Sequence, residues 1–238
     1  MAKAKAPPLR QQIPTNEDLH ATHGVDFRNT AHWRIFRIMA EFIDGFQFLY
    51  DLKKEVSIYG STRTPEGSRW YNEARKLGAM LGKAKFTVIT GGGPGIMEAG
   101  NRGAFESGAE SVGLNIQLPY EQRTNPYVKK GLGFHYFFTR KVMLSASSQA
   151  YIFFPGGFGT IDELTELVEL IQTEKMQRVP IVLVGKEHWE GYFAWVRKVM
   201  LEGEHPLIEK KDLDIVQIVD SAEEAFAIVK KTKERPYF

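Results

Sequence analysis

The 238-residue sequence contains no cysteine, which excludes disulfides, thiolate metal sites and a cysteine nucleophile together. Charge of one sign is equally scarce. The 31 Lys and Arg against 29 Asp and Glu leave a formal net charge of +2, so no electrostatic footprint for nucleic acid is visible, although small anionic ligands stay open. No run of about 18 apolar residues occurs, and the opening stretch "MAKAKAPPLRQQIPTNEDLH" is basic without an apolar core. The expectation is a soluble, unexported, cytoplasmic protein with neither a membrane nor a nucleic acid as partner. His20, His23, His32, His135, His188 and His205 show no metal-ligand spacing, and no metal site is predicted.

What is present is ordinary for a globular chain, with 43% hydrophobic and 25% charged residues. The length suits one α/β domain with a sizeable core. Residues 1 to 28 are polar, contain proline and lack a period, so they read as a loose arm. Trp33, Phe36, Met39, Ile43, Phe46 and Leu49 then recur at helical spacing and predict a helix over 31–50 with a broad apolar face. From Glu55 onward, short apolar runs alternate with amphipathic segments. The runs are "EVSIYG", "FTVITG", "SVGLNI", "FHYFFT", "AYIFFP", "PIVLVG" and "LDIVQIV", with helices expected near 67–82, 95–108, 139–148, 160–175, 188–202 and 221–233. This is the pattern of an α/β, doubly wound (Rossmann-like) parallel sheet of about seven strands, with an N-terminal helical extension. A single domain over 29–238, including the helix 31–50, is expected.

In such a sheet the ligand crevice lies beyond the carboxyl ends of the strands, where strand order reverses. Three glycine loops should converge there: Tyr59–Arg63 with Ser61, Thr90–Gly95 with Gly92 and Gly93, and Pro155–Thr160 with Gly156, Gly157 and Gly159. A phosphate wrapped by backbone N–H groups at a helix N-terminus requires such loops, with the Thr160 hydroxyl as a further donor; close strand-to-helix packing also permits them. "GGGPGIMEAG" fails the dinucleotide spacing, because Glu98 stands where a third glycine would follow Gly93 and Gly95, and no G-K-[ST] follows any glycine loop. Thr160 and Glu163 fit T-x-x-E, so Glu163 is either the back-reaching member of a capping box or a carboxylate at the crevice. Arg140 and Lys141 are expected to open a helix, where cations oppose the macrodipole. They are either a solvated pair, or Arg140 grips a carboxylate or phosphate with its planar fork.

"GGGPGIMEAGNRGA", then "TRK", then "PGGFGTIDE" resemble in order the LONELY GUY (LOG) family, cytokinin riboside 5′-monophosphate phosphoribohydrolases often mislabelled as lysine decarboxylases. The match runs from about Val56 to Val184. The resemblance implies hydrolysis of the N-glycosidic bond of a nucleoside 5′-monophosphate, of the AMP or cytokinin riboside monophosphate type, to free base and ribose 5-phosphate. It implies Arg140 and Glu163 as catalytic residues and Gly156, Gly157, Gly159 and Thr160 as the phosphate site. Ser61, Gly92, Gly93 and Lys141 are further candidates for substrate contact. No organic cofactor is required, and a homodimer or higher homo-oligomer is expected. Residues 1 to about 50 and the segment from His188 onward extend beyond the compact members of the family, which leaves base preference and assembly open. Two alternatives stand beside this reading: a nucleotide-binding or sensing module without turnover, and a pyridoxal-phosphate decarboxylase, for which Lys141 would have to be the Schiff-base lysine.

Overall fold

In the computed structural model of the protein, residues 30–117 and 124–235 are described, and the predicted arm at 1–28 lies outside them. The chain divides into two units, Met1–Ala40 and Glu41–Phe238. The first helix, α1 (Ala31–Tyr50), contributes residues to both.

The second unit is built on seven parallel strands: β1 (Glu55–Tyr59), β2 (Thr87–Thr90), β3 (Ser111–Ile116), β4 (Lys130–Phe134), β5 (Ala150–Phe153), β6 (Ile181–Val184) and β7 (Val216–Val219). Their spatial order is β4-β3-β2-β1-β5-β6-β7. The chain therefore steps outward from β1 to the β4 edge, returns to the other side of β1 as β5, and steps outward again. The order reverses between β1 and β5, which pair directly, Ser57 opposite Tyr151 and Tyr59 opposite Phe153. All residues of β1 and β5 are buried, because helices cover both faces, and such strands read as unbroken apolar runs.

The helices are α2 (Arg69–Lys83), α3 (Ile96–Glu106), α4 (Phe137–Ala146), α5 (Phe158–Gln172), α6 (Lys186–Val196) and α7 (Ala222–Val229). Strand alternation sorts the core into two layers. Val56 and Ile58 of β1, with Ala150 and Ile152 of β5, meet α2, α3 and α7 through Leu77, Ala99 and Ala225. Tyr59, Tyr151 and Phe153 point the other way and pack with Leu49 of α1, Leu144 of α4, Leu164 and Leu167 of α5 and Trp189 of α6.

The helix expected over 188–202 is α-helical only over Lys186–Val196, that expected over 221–233 ends at Val229, and three further differences have a physical cause. The run "FHYFFT" is not a strand: only Phe134 belongs to β4, and Phe137 opens α4. β4 is instead "KGLGF", exposed at Lys130, Gly131 and Gly133. As the sheet edge it needs only one partner, so its sequence carries little of the β-branched, apolar signal. "LDIVQIV" yields only the four residues of β7, because Lys210–Ile215 winds into a 3₁₀ helix whose start is tied by a Glu209–Asp212 capping box. The third difference, at the start of α5, bears on the site.

Candidate active site

The β1–β5 switch point opens into a cavity of about 470 Å³, within the roughly 300–1,000 Å³ usual for small-molecule sites. Each strand end contributes as the topology requires. Tyr59 ends β1 and Gly60 to Arg63 follow it, Gly91 follows β2 with Met97 from α3, Phe137, Arg140 and Lys141 come from α4, and Gly157 to Thr160 with Asp162 and Glu163 form the start of α5. Backbone bonds fix the loops to one another: Ser61 N–H donates to Pro155 O (3.1 Å) and Ile96 N–H to Ser61 O (3.0 Å). Gly95, the N-cap of α3, has φ +70°, and a Cβ there would press into the Ser61 carbonyl. The glycine loop is held from below by buried polar side chains. Thr90 Oγ1 accepts from Gly92 N–H (2.9 Å) and donates to Asn101 Oδ1 (2.6 Å), and Asn125 Nδ2 donates to Gly93 O (3.0 Å).

Helix α5 begins at Phe158 with Gly157 as N-cap and no side-chain cap bond. Thr160 is thus the third helical residue and Glu163 the sixth, so the capping-box reading of this pair is overturned. The chain turns helical three residues earlier than the T-x-x-E pattern suggests, with Gly157 rather than Thr160 as N-cap, because the glycines carry the turn. Glu163 projects from the second turn into the cavity wall, half-buried. Burial pushes its pKa up to about 7, against the downward pull of Arg140 and Lys141, while Glu166 and Asp162 push the same way as burial.

Arg140 reaches the cavity through a gap left by Gly91, where a Cβ would collide with Arg140 Nη2. Its Nε–H donates to Leu114 O of β3 (2.7 Å), which fixes the plane of the guanidinium. Burial lowers its pKa and the charge of Glu163 opposes that shift. Among the described residues Arg140 makes no ion pair, so a half-buried cation and a half-buried carboxyl face one cavity without neutralising each other at contact. Lys141 is placed differently. Its Nζ lies 2.8 Å from Asp162 Oδ2 and 3.3 Å from Glu166 Oε2, so α4 and α5 are joined there by a charge cluster. Tyr59 is buried, stacked on Phe153 (ring centroids 4.6 Å apart), and burial together with the nearby Glu163 pushes its phenol well above the ordinary range.

The sequence-predicted residues divide by position. Ser61, Arg140, Lys141, Gly157, Gly159, Thr160 and Glu163 line the cavity. Gly92, Gly93 and Gly156 do not: the first two are bound to Thr90 and Asn125, and Gly156 packs against the Thr160 side chain. Gly157 and Gly159 contrast with these, since a Cβ at either would meet nothing within 4 Å and neither has a positive φ. Neither the fold nor the backbone conformation therefore demands glycine at 157 or 159. Sequence reasoning missed Gly91, Arg63, Phe137 and Phe158. For Phe158 a signal existed, since an aromatic residue inside a glycine loop at a strand end has no core to enter, whereas Phe137 sat in a run that reads as a strand; the structure leaves them 95% and 59% exposed.

The fold and cavity define a doubly wound α/β protein with a crevice at its switch point, lined by glycine backbone, Arg140 and Glu163. The chain belongs to the LOG family: the family model described as "Possible lysine decarboxylase" matches residues 97–229. The chain is similar to the pyrimidine/purine nucleotide 5′-monophosphate nucleosidase of Escherichia coli, at 28% identity over 172 residues, 68% of this chain and 37% of that one. It thus spans little more than a third of that relative's length. It is also 25% identical over 156 residues to a cytokinin riboside 5′-monophosphate phosphoribohydrolase of Arabidopsis thaliana, covering 63% of this chain and 71% of that one. Among solved structures, the molybdenum cofactor carrier protein of Chlamydomonas reinhardtii superposes with a TM-score of 0.57 at 21% identity, over 75% of this chain and 97% of that one. The molybdenum cofactor binding protein of Rippkaea orientalis gives 0.55 at 18%, over 74% and 93%. Both likenesses concern the fold.

Proposed function

We propose that the protein hydrolyses the N-glycosidic bond of a nucleoside 5′-monophosphate, releasing the free base and ribose 5-phosphate. The observation that carries this reading is the pair Gly157 and Gly159, glycines with no packing or conformational need that face the cavity at the N-terminus of a fifteen-residue helix. Bare backbone N–H groups at the positive end of a helix suit a dianionic phosphate, and Thr160 belongs to the same lining. The E. coli and Arabidopsis relatives, by their names, act on nucleoside monophosphates.

With the phosphate at α5, the ribose lies along the wall that carries Glu163 and Arg140. As the C1′–N bond breaks, its electron pair leaves with the base, which takes up a proton, and positive charge grows on the ribosyl ring. A water oxygen then bonds to C1′ and loses its proton. Glu163, ionised, stabilises the developing cation electrostatically. Arg140, with Nε engaged by Leu114, keeps its η nitrogens for an oxygen of the substrate. The exposed faces of Phe137 and Phe158 form the apolar side of the cavity and offer the base a planar wall. Remote phosphate contacts supply orientation rather than chemistry.

The deciding experiment is incubation with AMP, with chromatographic detection of adenine. Stoichiometric adenine and ribose 5-phosphate are expected. Tight AMP binding without any base release from AMP or other nucleoside monophosphates would reduce the protein to a nucleotide-binding module. We also propose a homodimer or larger assembly, which light scattering at micromolar concentration tests; a monomeric mass overturns it.

A further inference from the structure

Helix α4 delivers Arg140, yet its own sequence is poorly made for starting a helix. Its N-cap is Tyr136, with no side-chain cap bond, and its first turn holds no acidic residue. Arg140 and Lys141 follow directly, and both oppose the positive end of the macrodipole. The first backbone bond of the helix is the one that closes on Arg140 itself, Arg140 N–H to Tyr136 O at 3.3 Å.

The missing cap comes from another part of the chain. Glu41 of α1 accepts from His135 N–H at Oε1 (2.8 Å) and from Tyr136 N–H at Oε2 (3.4 Å). Thr139 Oγ1, fully buried, lies 2.6 Å from Glu41 Oε2 and 2.8 Å from Tyr136 O. One carboxylate thus satisfies the N-cap N–H of Tyr136 and the preceding N–H of His135, holds the third residue of the helix and places negative charge at the positive pole. One turn further along α1, Gly45 brings that helix hard against α4, since a Cβ there would stand 2.5 Å from Met143 Sδ. The close crossing leaves Glu41 little freedom to withdraw.

We infer that Glu41 is a positioning residue for Arg140: the N-terminal helical extension serves as an external cap that fixes the first turn of α4 and, through it, the guanidinium at the cavity. Its catalytic consequence rests on the nucleotide-hydrolysis reading, whereas its structural half does not. This gives the extension a role in the reaction without contact with the substrate.

The test uses the full chain carrying Glu41→Ala, with Glu41→Gln as a milder variant that keeps one acceptor oxygen. The control is Ser221→Ala, which removes the side-chain cap of α7 on Glu224 N–H and lies outside the cavity lining. Well below the melting temperature, Glu41→Ala is expected to lower kcat for AMP by about 10-fold, as misplacement of a catalytic group does, with a smaller loss for Glu41→Gln and none for Ser221→Ala. In an Arg140→Ala background Glu41→Ala should cost nothing further. Backbone amides of residues 137–141 should exchange faster in both Glu41 variants. Undiminished turnover, an equal loss with and without Arg140, or unchanged exchange at 137–141 overturns the assignment. Should the parent protein release no base from any nucleoside monophosphate, ribose 5-phosphate affinity by calorimetry replaces kcat. Weakening by Glu41→Ala in the parent but not in the Arg140→Ala background is then expected, and equal weakening in both overturns it.

Discussion

Glu163→Gln separates a catalytic carboxylate from a structural one, because the two roles predict opposite signs in stability. A helix-capping glutamate would lose stability, or keep it, on conversion to glutamine. The cavity carboxyl should gain. Burial moves its pKa from 4.5 to about 7, which at 1.36 kcal/mol per pH unit makes the ionised folded state less stable by about 3 kcal/mol at most. Solvent enters the open cavity, so roughly 1–2 kcal/mol is the reasonable share. The sign follows from a folded pKa above the unfolded one. Below pH 4.5 both states hold the proton and nothing is lost; between 4.5 and about 7 the unfolded chain ionises first and stability falls as pH rises; above 7 the loss is complete.

Glutamine carries no such cost. At pH 8 Glu163→Gln should therefore melt about 2–8 °C above the parent, at the ~2–4 °C per kcal/mol of a chain this size, and the difference should vanish near pH 4. Glu55, also pushed up to about 7 by burial, gives the parent a similar acid-side profile, but it is common to both proteins and cancels. Over the same range kcat for AMP should fall by at least ~10²-fold, since a charge facing the ribosyl cation has been removed. Differential scanning calorimetry at pH 4 and 8, with turnover measured on the same samples, checks both halves. A lower melting temperature at pH 8, or near-normal turnover by the folded variant, refutes the reasoning.

Gly157→Ala and Gly159→Ala should leave the melting temperature unchanged, because the new methyl meets nothing within 4 Å, yet raise KM for AMP at least about tenfold by standing where the phosphate must approach; calorimetric melts beside AMP titrations check this. The kcat/KM profile of the parent should show an acid limb near pH 7, where the Glu163 carboxyl titrates, and a limb near 4.5 would place the group elsewhere. Phe158→Ala should raise KM for AMP about 3- to 10-fold, with phosphate binding measured by calorimetry unaltered, as the loss of one stacked base would; Phe158→Trp should restore it.

The sheet was legible in the sequence wherever a strand is buried on both faces, since "SIY", "TVIT", "YIFF" and "IVLV" have no polar interruption of consequence. It was not legible at β4, where an edge strand of lysine, glycine and leucine follows a segment outside the described residues, and the aromatic run beside it looked more like a strand. Arg140, Thr160 and Glu163 could be named from the sequence because glycine loops and charges stand at predicted strand ends. Their geometry could not. Thr160 and Glu163 fit a capping box as well as a catalytic helix, and only the start of α5 at Phe158 removes the box. Glu41 was invisible for a different reason: a carboxylate on an extension helix is unremarkable until the fold brings it to the start of α4, 98 residues away in sequence from Thr139.

The family description as a possible lysine decarboxylase can be weighed against Lys141, the one lysine among the described residues that lines the cavity. A Schiff-base lysine must be neutral when it attacks a carbonyl, and proteins achieve this by removing solvent or by placing another cation nearby. Lys141 has the contrary surroundings. Burial alone would lower its pKa, but Asp162 and Glu166, at 2.8 and 3.3 Å, reverse that and raise it above the usual value. The same two carboxylates hold Nζ against α5. Its geometry suits a strut between α4 and α5, the two helices that carry Arg140 and Glu163, so that the charge cluster keeps the distance between them. Among the described residues Arg140 has no such carboxylate partner, and its guanidinium does not give up its proton. Among the described residues the cavity lining carries no amine poised for covalent attack, and it presents Arg140 and Glu163 instead, which supports the proposed glycosidic hydrolysis over decarboxylation on the chemistry of its side chains.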